Sequence, residues 1–466
     1  MDFSNWTFWL IVLPSMFIIA MVCDHIKNAN IRAGISKWSL CILSLTLLGV
    51  VSFQTLGIFL FVTIFAYIGC RILQHKTRRI KTLFLWLVIP ILLLPLVYYK
   101  YAYFFTSEVL NKEWDTLKVL IIPIGISFYT FQVIAFCIDT LKRNQLVPAF
   151  IDYMNFCSFF PQIVAGPIER KDSLLPQMEA WRCKISSISI AQGIPYIVLG
   201  LFFKLALADN LAVAMIIGYD GDNAFQVWAN NIAFGFRIYF DFAGYGLSAY
   251  GAAKCLGINI TLNFLSPYTC SNVTEFWRKW HVSLTLWFRD YIYFALGGSR
   301  TRFWWFNIIF MFLVSGIWHG AGWNFIIWGG LAGITMVVHR LFRNSGASLP
   351  PFCGWILTMV IMMFIWMFFY ETDMYIVSKN FLCIADFSCY KISDYISLLC
   401  ENKAAGAHLL VFSFLSMLII AIEYISKRKY EHPYLIFLGP KASFILVILI
   451  FMLHTEQLSQ FIYFAF

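Results

Sequence analysis

An all-α integral membrane protein with many crossings is the fold class this sequence predicts, and three features predict it. Of 466 residues, 61% are hydrophobic and only 12% are charged, where a soluble domain carries roughly 25%. Too little polar surface remains to cover a core of this size in water. The apolar residues come in long runs without period-2 alternation, a pattern of helices rather than of an outer-membrane barrel. The basic residues behind the net charge of +10 sit between those runs and form no block on one face. A cytosolic enzyme, a disordered scaffold and a nucleic-acid-binding domain are thereby excluded. At roughly 20 residues per crossing, the apolar stretches predict about 11 to 12 spans, with some re-entrant or interfacial helices.

The first span is 7–23. Met1 to Trp6 holds Asp2 and neither Lys nor Arg, and no small-residue cleavage site follows. The segment therefore reads as a retained span rather than a signal peptide. Spans 38–52, 55–71, 83–105 and 119–139 come next. Loop 24–37 carries Lys27, Arg32 and Lys37 against Asp24, and loop 71–81 carries Arg71, Lys76, Arg78, Arg79 and Lys81 with no acid. The turn between them, Ser52 to Thr55, is uncharged, and loop 106–118 has Glu108, Glu113 and Asp115 against Lys112 and Lys118. This alternation predicts an N-terminus outside and the two basic loops in the cytoplasm.

Residues 150–165 are apolar but broken by Pro161, with Gly166 and Pro167 just beyond, so they read as re-entrant or interfacial. A polar stretch, Ile168 to Ser189, contains Glu169, Arg170, Lys171, Asp172, Arg182 and Lys184. Spans resume at 192–217 and 224–257. Segment 266–302 is the most polar and aromatic of the interior. Helices return at 303–319, 322–341 and 354–370, a mixed external loop covers 371–406, and spans 407–426 and 434–454 close the chain around Lys427, Arg428 and Lys429. No internal repeat or low-complexity linker divides residues 1–466, which predicts a single integral domain.

Most of the 12 cysteines lie inside apolar runs, Cys41, Cys70, Cys137, Cys157 and Cys255 among them. No CxxC pair supports zinc or redox chemistry. Cys383, Cys389 and Cys400 cluster in the polar loop placed outside, where one disulfide is compatible with the compartment. Otherwise they are small packing residues.

Six of the eight histidines read as water-facing or as span-end residues: His25, His75, His339 and His432 in or beside basic loops, His408 and His454 near span ends. Two stand apart. His319 ends the apolar helix Phe303 to Trp318, in the run Ser315 to Gly322, with Trp318, Trp323 and Phe310 as apolar company. An ionisable group at membrane depth points to a polar cavity. Alternatively, Gly316 and Gly320 form a small-residue packing face and His319 bonds a neighbouring helix. His281 lies in Asn272-Val-Thr-Glu-Phe-Trp-Arg-Lys-Trp-His. Asn272 with Glu275 predicts a helix start. From there Trp277, His281, Leu284 and Phe288 fall on one helical face, with Arg278, Thr285 and Arg289 beside it. The alternative is an interfacial helix anchored in lipid by Trp277, Trp280 and Trp287.

Two histidines 38 residues apart and separated by one span could converge in a membrane-embedded cavity. A neutral imidazole accepts a proton from a hydroxyl and returns it to a leaving group, or is itself acylated. Metal binding lacks a third ligand at matching spacing, and no GxSxG elbow supports a serine hydrolase. Arg237 and Asp241, at i and i+4, are expected to pair with each other or to couple transport.

The chain resembles the membrane-bound O-acyltransferases, and most of all their bacterial branch that acetylates exported polysaccharides. The resemblance covers about residues 35–345, with spans 354–466 beyond it. It rests on Ser127-Phe-Tyr-Thr-Phe-Gln, Phe159-Phe-Pro-Gln-Ile-Val-Ala-Gly-Pro-Ile-Glu-Arg and Tyr239-Phe-Asp-Phe-Ala-Gly-Tyr. The most specific motifs are Asn272 to His281 with Arg289-Asp-Tyr, and Gly316-Ile-Trp-His-Gly, with a C-terminal echo in Phe461-Ile-Tyr-Phe-Ala-Phe. The link from Gly298 to Phe303 is shorter than the branch pattern, and 371–406 shows little of it.

The resemblance implies a tunnel through the membrane, with the functional histidines at His281 and His319. Trp318, Trp277, Arg278, Arg289, Asp241 and Asn272 are the substrate-binding candidates in the same motifs, with Arg278 and Lys279 near the phosphates of the donor. It implies no bound cofactor or metal. Acetyl-CoA or another acyl thioester would be the cytoplasmic donor, and a polysaccharide or an extracytoplasmic SGNH-type acetyltransferase would take the acyl group. D-alanyl transfer to teichoic acid belongs to more distant relatives. A flippase for a lipid-linked sugar, using Arg237 and Asp241, would call for an inverted repeat that the sequence lacks. The remaining rival is a structural subunit of an export complex.

Overall fold

The computed structural model describes residues 6–183, 187–215, 222–455, 459, 461 and 462. Asp2, Lys184 and Tyr463 to Phe466, which entered the sequence reading, lie outside the described residues. Secondary structure among the described residues is helical throughout. Seven helices are long and apolar enough to cross a membrane, and four shorter ones are apolar as well. The all-α, polytopic expectation is met. The described residues fall into two compact units, one from the start to Ile197 plus Ser248–Leu262, the other Val198–Leu247 plus Asn263 onward.

In the first unit, α1 (Trp6–Asp24), α2 (Ala29–Val51), α3 (Phe53–Leu73) and α4 (Arg78–Leu96) are successive apolar helices. Helix α2 begins well before residue 38 because the Asn28 side chain accepts from the N–H groups of Asn30 and Ile31, capping it. The expected basic loop 24–37 is thus mostly helix, and its Arg32 reaches back to Asp24 at 2.6 Å. Helix α5 (Ile126–Lys142) starts after Gly125, whose φ of +75° suits glycine, so the expected span 119–139 is shifted toward its C-terminal side. Helix α6 (Phe150–Ser158) is nine residues long and gives way to buried turns around Pro161, in keeping with a segment that is no straight crossing. The Gln132 amide donates to the Phe156 carbonyl at 2.7 Å, and Lys37 pairs with Asp152 at 2.6 Å. Helix α7 (Lys171–Ala180) follows.

Helix α8 (Ser187–Leu201) continues through a π-helical stretch, Phe202–Ala208, and α9 (Ala224–Cys255) runs for 32 residues. In the second unit come α10 (Val273–Lys279), α11 (Val282–Phe288), α12 (Trp304–His319), α13 (Trp323–Asn344) and α14 (Pro351–Tyr370). The segment expected to be an external loop, 371–406, instead holds α15 (Met374–Ala385) and α16 (Ile392–Glu401). Helix α15 is capped by Asp373, which accepts from the Tyr375 N–H. At 12 and 10 residues, both helices are too short to read as spans. Helices α17 (Lys403–Tyr430) and α18 (Pro440–Leu453) complete the unit.

The α12–α13 hairpin packs more closely than any ordinary side chain allows. A Cβ at Gly316 would overlap the Phe325 carbonyl oxygen, and one at Gly329 would overlap that of Phe312. Glycines on both helices let the two backbones touch. That contact fixes His319, at the last turn of α12.

Candidate active site

His281 sits in a break between two helices. Asn272 caps α10 as the sequence predicts, its side chain accepting from the Glu275 N–H at 2.9 Å. The expected continuous amphipathic helix does not form, however. Helix α10 stops at Lys279, and His281 takes a left-handed conformation, φ +46° and ψ +57°, before α11 starts. The cause is a competing set of hydrogen bonds from the segment before it. Leu265 N–H donates to the Lys279 carbonyl at 3.0 Å, Val282 N–H to the Asn263 carbonyl at 2.9 Å, and Ser283 N–H to the Asn263 side chain at 3.1 Å. These take backbone groups that a continuous helix would have paired internally. The left-handed backbone costs about 1–3 kcal/mol at a non-glycine residue, a strain that clusters at functional sites.

The same break buries the tryptophans expected to anchor in lipid. Trp277, Trp280 and Trp287 are each 5% exposed. Trp280 packs on Trp366 of α14 at 4.8 Å and Trp277 on Trp328 of α13 at 5.7 Å. An interfacial helix is therefore ruled out for this stretch.

His319 closes the arrangement from the other side. It is 6% exposed and His281 is 2% exposed. Its ring lies 4.9 Å from Trp318, 4.9 Å from Trp328 and 5.2 Å from Phe369. Trp323 and Phe310, the company expected from sequence, are exposed instead. Phe310 lies nine residues before His319, about two and a half turns away and so on the opposite face. Both imidazoles line one narrow cavity of about 30 Å³, together with Trp277, Trp280, Ser315 and Trp328. That is room for a water molecule or two. A second space of about 10 Å³ touches both imidazoles again, beside Phe242, Trp366 and Phe369. Trp318 bridges the pair, with its ring 6.4 Å from that of His281.

The remaining candidates scatter. Trp277 lines the cavity. Asn272 spends its side chain on the α10 cap. Arg278 is exposed. Arg289 pairs with Asp290 at 2.7 Å and lies over the Phe294 ring. Neither arginine is among the cavity residues. Lys279 and Lys427 both reach Glu275, the second at 3.4 Å, so Lys279 is committed to a carboxylate. His339, expected to face water, is half-buried, with Nδ1 2.8 Å from the Thr274 hydroxyl.

Asp241 does not pair with Arg237. It meets Lys204 at 2.9 Å, and Lys204 meets Asp209 at 2.8 Å. The pair expected at i and i+4 loses to a partner on another helix, because Lys204 lies within the π-helical turn and is shared by both carboxylates. Asp241 also accepts from the Ile462 N–H at 2.8 Å, and the Ser459 hydroxyl donates to Asp209 at 2.6 Å. Phe461 stacks on Phe242 at 5.1 Å, and Phe242 faces His281 at 5.7 Å. The triad thus ties Ser459 and Ile462, with Phe461 between them, to the wall of the site.

Sequence reasoning missed Lys204 and Asp209, although charges inside the run 192–217 were a legible signal. It also missed Glu423, a buried carboxylate in α17 that accepts from the Tyr239 hydroxyl at 2.7 Å. Trp328, Trp366 and Phe369 carried no signal, since aromatic residues abound in every span. Among the described residues no group of three His, Cys, Asp or Glu side chains could hold a metal ion.

Residues 32–378 match the profile of MBOAT, the membrane-bound O-acyltransferase family. A peptidoglycan O-acetyltransferase of Helicobacter pylori is 34% identical over 335 residues, 63% of this chain and 63% of that protein, so the match spans less than two thirds of its length. A probable alginate O-acetylase of Azotobacter vinelandii is 31% identical over 396 residues, 81% of this chain and 77% of its own. A teichoic acid D-alanyltransferase of Bacillus subtilis is 30% identical over 241 residues, covering 48% of this chain and 60% of its own.

Proposed function

The chain belongs to the membrane-bound O-acyltransferase family, and from that premise we propose that it is an O-acyltransferase of the bacterial cytoplasmic membrane. It moves an acetyl group from a thioester donor on the cytoplasmic side to a hydroxyl of an envelope polysaccharide, or to an extracytoplasmic SGNH-type acetyltransferase that passes the group on. The observation that carries the reading is that His281 and His319, from different elements, line the same aromatic cavity. Both fall within the matched residues, 32–378. The acetyl group is favoured by the names of the relatives that match most of the chain, which act on peptidoglycan and alginate. The D-alanyltransferase match covers less of it.

In this reading His319 is the general base. Its neutral imidazole takes the proton of the acceptor hydroxyl as that oxygen attacks the thioester carbonyl. The C–S bond breaks as the tetrahedral centre collapses, and the imidazolium returns the proton to the leaving thiolate. Direct acylation of the same imidazole, followed by transfer to the acceptor, is the two-step version. His281, held by its fixed backbone, orients the thioester carbonyl or the acceptor. The walls of Trp277, Trp280 and Trp328 exclude water, which would otherwise hydrolyse the thioester. The N-terminus lies outside in this orientation, and the basic ends of α13 and α17, with Arg340, Arg343 and Lys427 to Lys429, face the cytoplasm. A transporter built on Arg237 and Asp241 is disfavoured, since Asp241 is held by Lys204.

Purified protein in lipid, given radiolabelled acetyl-CoA with a polysaccharide acceptor or a candidate SGNH partner, tests the proposal. The wild type is expected to transfer label, and His319→Ala to slow transfer by about 100- to 10,000-fold, the range for a general base. No transfer by the wild type to any acceptor, with label moving from D-alanyl thioester instead, would replace acetyl with D-alanyl. Full transfer by His319→Ala would remove that residue from the mechanism.

A further inference from the structure

Twelve cysteines occupy this chain, and they are not evenly disposed. Three pairs stand side by side. Cys70 and Cys137 are buried with their sulfurs 3.6 Å apart. Cys23 stands beside Cys183, and Cys383 beside Cys389. The first two pairs join segments far apart in sequence. The third closes a short corner: Cys383 lies in the last turn of α15, and Cys389 ends the 3-10 turn Phe387–Cys389.

That corner is otherwise built to stay put. The Asp386 carboxylate accepts from the Ser388 N–H at 2.9 Å and from the Ser388 hydroxyl at 2.7 Å. The Tyr390 hydroxyl donates to the Ile384 carbonyl at 3.1 Å. Tyr390 then packs on Phe225 at 5.4 Å and accepts from the Trp228 indole at 3.3 Å, both on the first turns of α9. Cys383 is buried, while Cys389 is partly open to solvent. One sulfur is thus reachable and the other waits behind it, the arrangement that thiol–disulfide exchange uses.

The two ends of the flanking helices place this corner. Helix α14 follows Arg340 and Arg343 and ends at Tyr370, and α17 runs from Lys403 to Lys427, Arg428 and Lys429. Residues 371–402 therefore lie at the ends opposite the basic ones, outside the cell on the orientation given under Proposed function, on which this inference rests. The Cys23–Cys183 pair lies beside Asp24, Lys27 and Arg182, on the reducing side, where disulfides do not persist.

We propose that Cys383 and Cys389 form a disulfide on the outer face, a covalent staple for the corner that carries Tyr390 to α9. The oxidant is an extracytoplasmic dithiol–disulfide oxidoreductase. The Cys389 thiolate attacks its disulfide, forming a mixed disulfide and expelling one of its thiols. The Cys383 thiolate then attacks the Cys389 sulfur and expels the second. Two protons and two electrons leave this chain, and the partner ends as a dithiol. Oxidised, the corner holds the Tyr390 platform against Phe225 and Trp228 without depending on the Asp386 hydrogen bonds.

The test labels intact cells that carry the full-length protein with a membrane-impermeant maleimide, before and after a reductant, and reads each cysteine by peptide mass. Two exposed cysteines report orientation: Cys400 near the end of α16, and Cys353 at the start of α14. Expected is labelling of Cys400 but not Cys353, with Cys389 labelled only after reduction. The unreduced tryptic peptide Asn380–Lys391, which holds both sulfurs, should be lighter by two hydrogens. Cys383→Ser should make Cys389 as reactive as Cys400 without reductant. Labelling of Cys389 to the same extent before reduction, with Cys400 labelled, overturns the disulfide and leaves the orientation standing. Labelling of Cys353 in place of Cys400 overturns the orientation, and the disulfide with it. Neither result bears on whether His319 transfers an acyl group.

Discussion

The Lys204 ammonium stands 2.9 Å from the Asp241 carboxylate in the interior of the second unit, where the two side chains are 7% and 1% exposed. Asp209 adds a second carboxylate at 2.8 Å. Removing one partner from such a group leaves an uncompensated buried charge, which costs about 3–5 kcal/mol. Lys204→Met is therefore expected to lower the melting temperature of the detergent-solubilised protein sharply. Lys204→Met with both Asp209→Asn and Asp241→Asn should recover much of the loss. Equal instability in the single and triple variants, by thermal unfolding, would show that packing rather than charge dominates there.

The backbone at His281 separates two roles of one residue. Asparagine tolerates the left-handed region, whereas a β-branched residue does not. His281→Asn is expected to melt close to the wild type, and His281→Val about 1–3 kcal/mol lower. Both should lose acyl transfer, since both lack the imidazole. Transfer that follows stability across the two variants would make the residue a turn former only.

Gly316 faces the Phe325 carbonyl with no room for a methyl group. Gly316→Ala should push α12 from α13 and destabilise the protein by about 1–3 kcal/mol, the usual penalty of overpacking. Because His319 rides on the next turn of α12, transfer should fall further than the lost stability explains. Comparing the rate per folded molecule in Gly316→Ala and in Gly330→Ala, where only a Leu313 methyl group lies within reach at 3.6 Å, measures this.

The Glu275 cluster sets an acid limit. Burial raises this carboxyl, but the hydrogen bond and charge of Lys279, with Lys427 beyond, outweigh it and hold the group below the ordinary carboxylate value. A depressed folded value contributes stability that is present above the unfolded one, about 4.3, and lost as pH falls through the folded value. The melting temperature of wild type relative to Glu275→Gln is expected to be highest at neutral pH and to converge with it in acid, below about pH 4. A difference that is flat through that window would mean the cluster adds nothing net.

The sequence by itself determined the class of this protein and the short roster of residues that chemistry could use. With charge so scarce, apolar runs fix the helices, basic loops give the expected orientation, and His281 and His319 stand out as ionisable groups in apolar surroundings. Local caps were legible too, as at Asn272 and Glu275, because capping depends on neighbours three residues away. What only the tertiary structure decided depends on partners distant in the chain. The helix through His281 breaks because Asn263 and Leu265 take its backbone hydrogen bonds. Asp241 leaves Arg237 for Lys204 because a shared cation between two carboxylates lies on another helix. Trp328, Trp366 and Phe369 become the walls of the site by packing alone. Periodicity reports which face of a helix is apolar, but not which of many apolar faces will meet it.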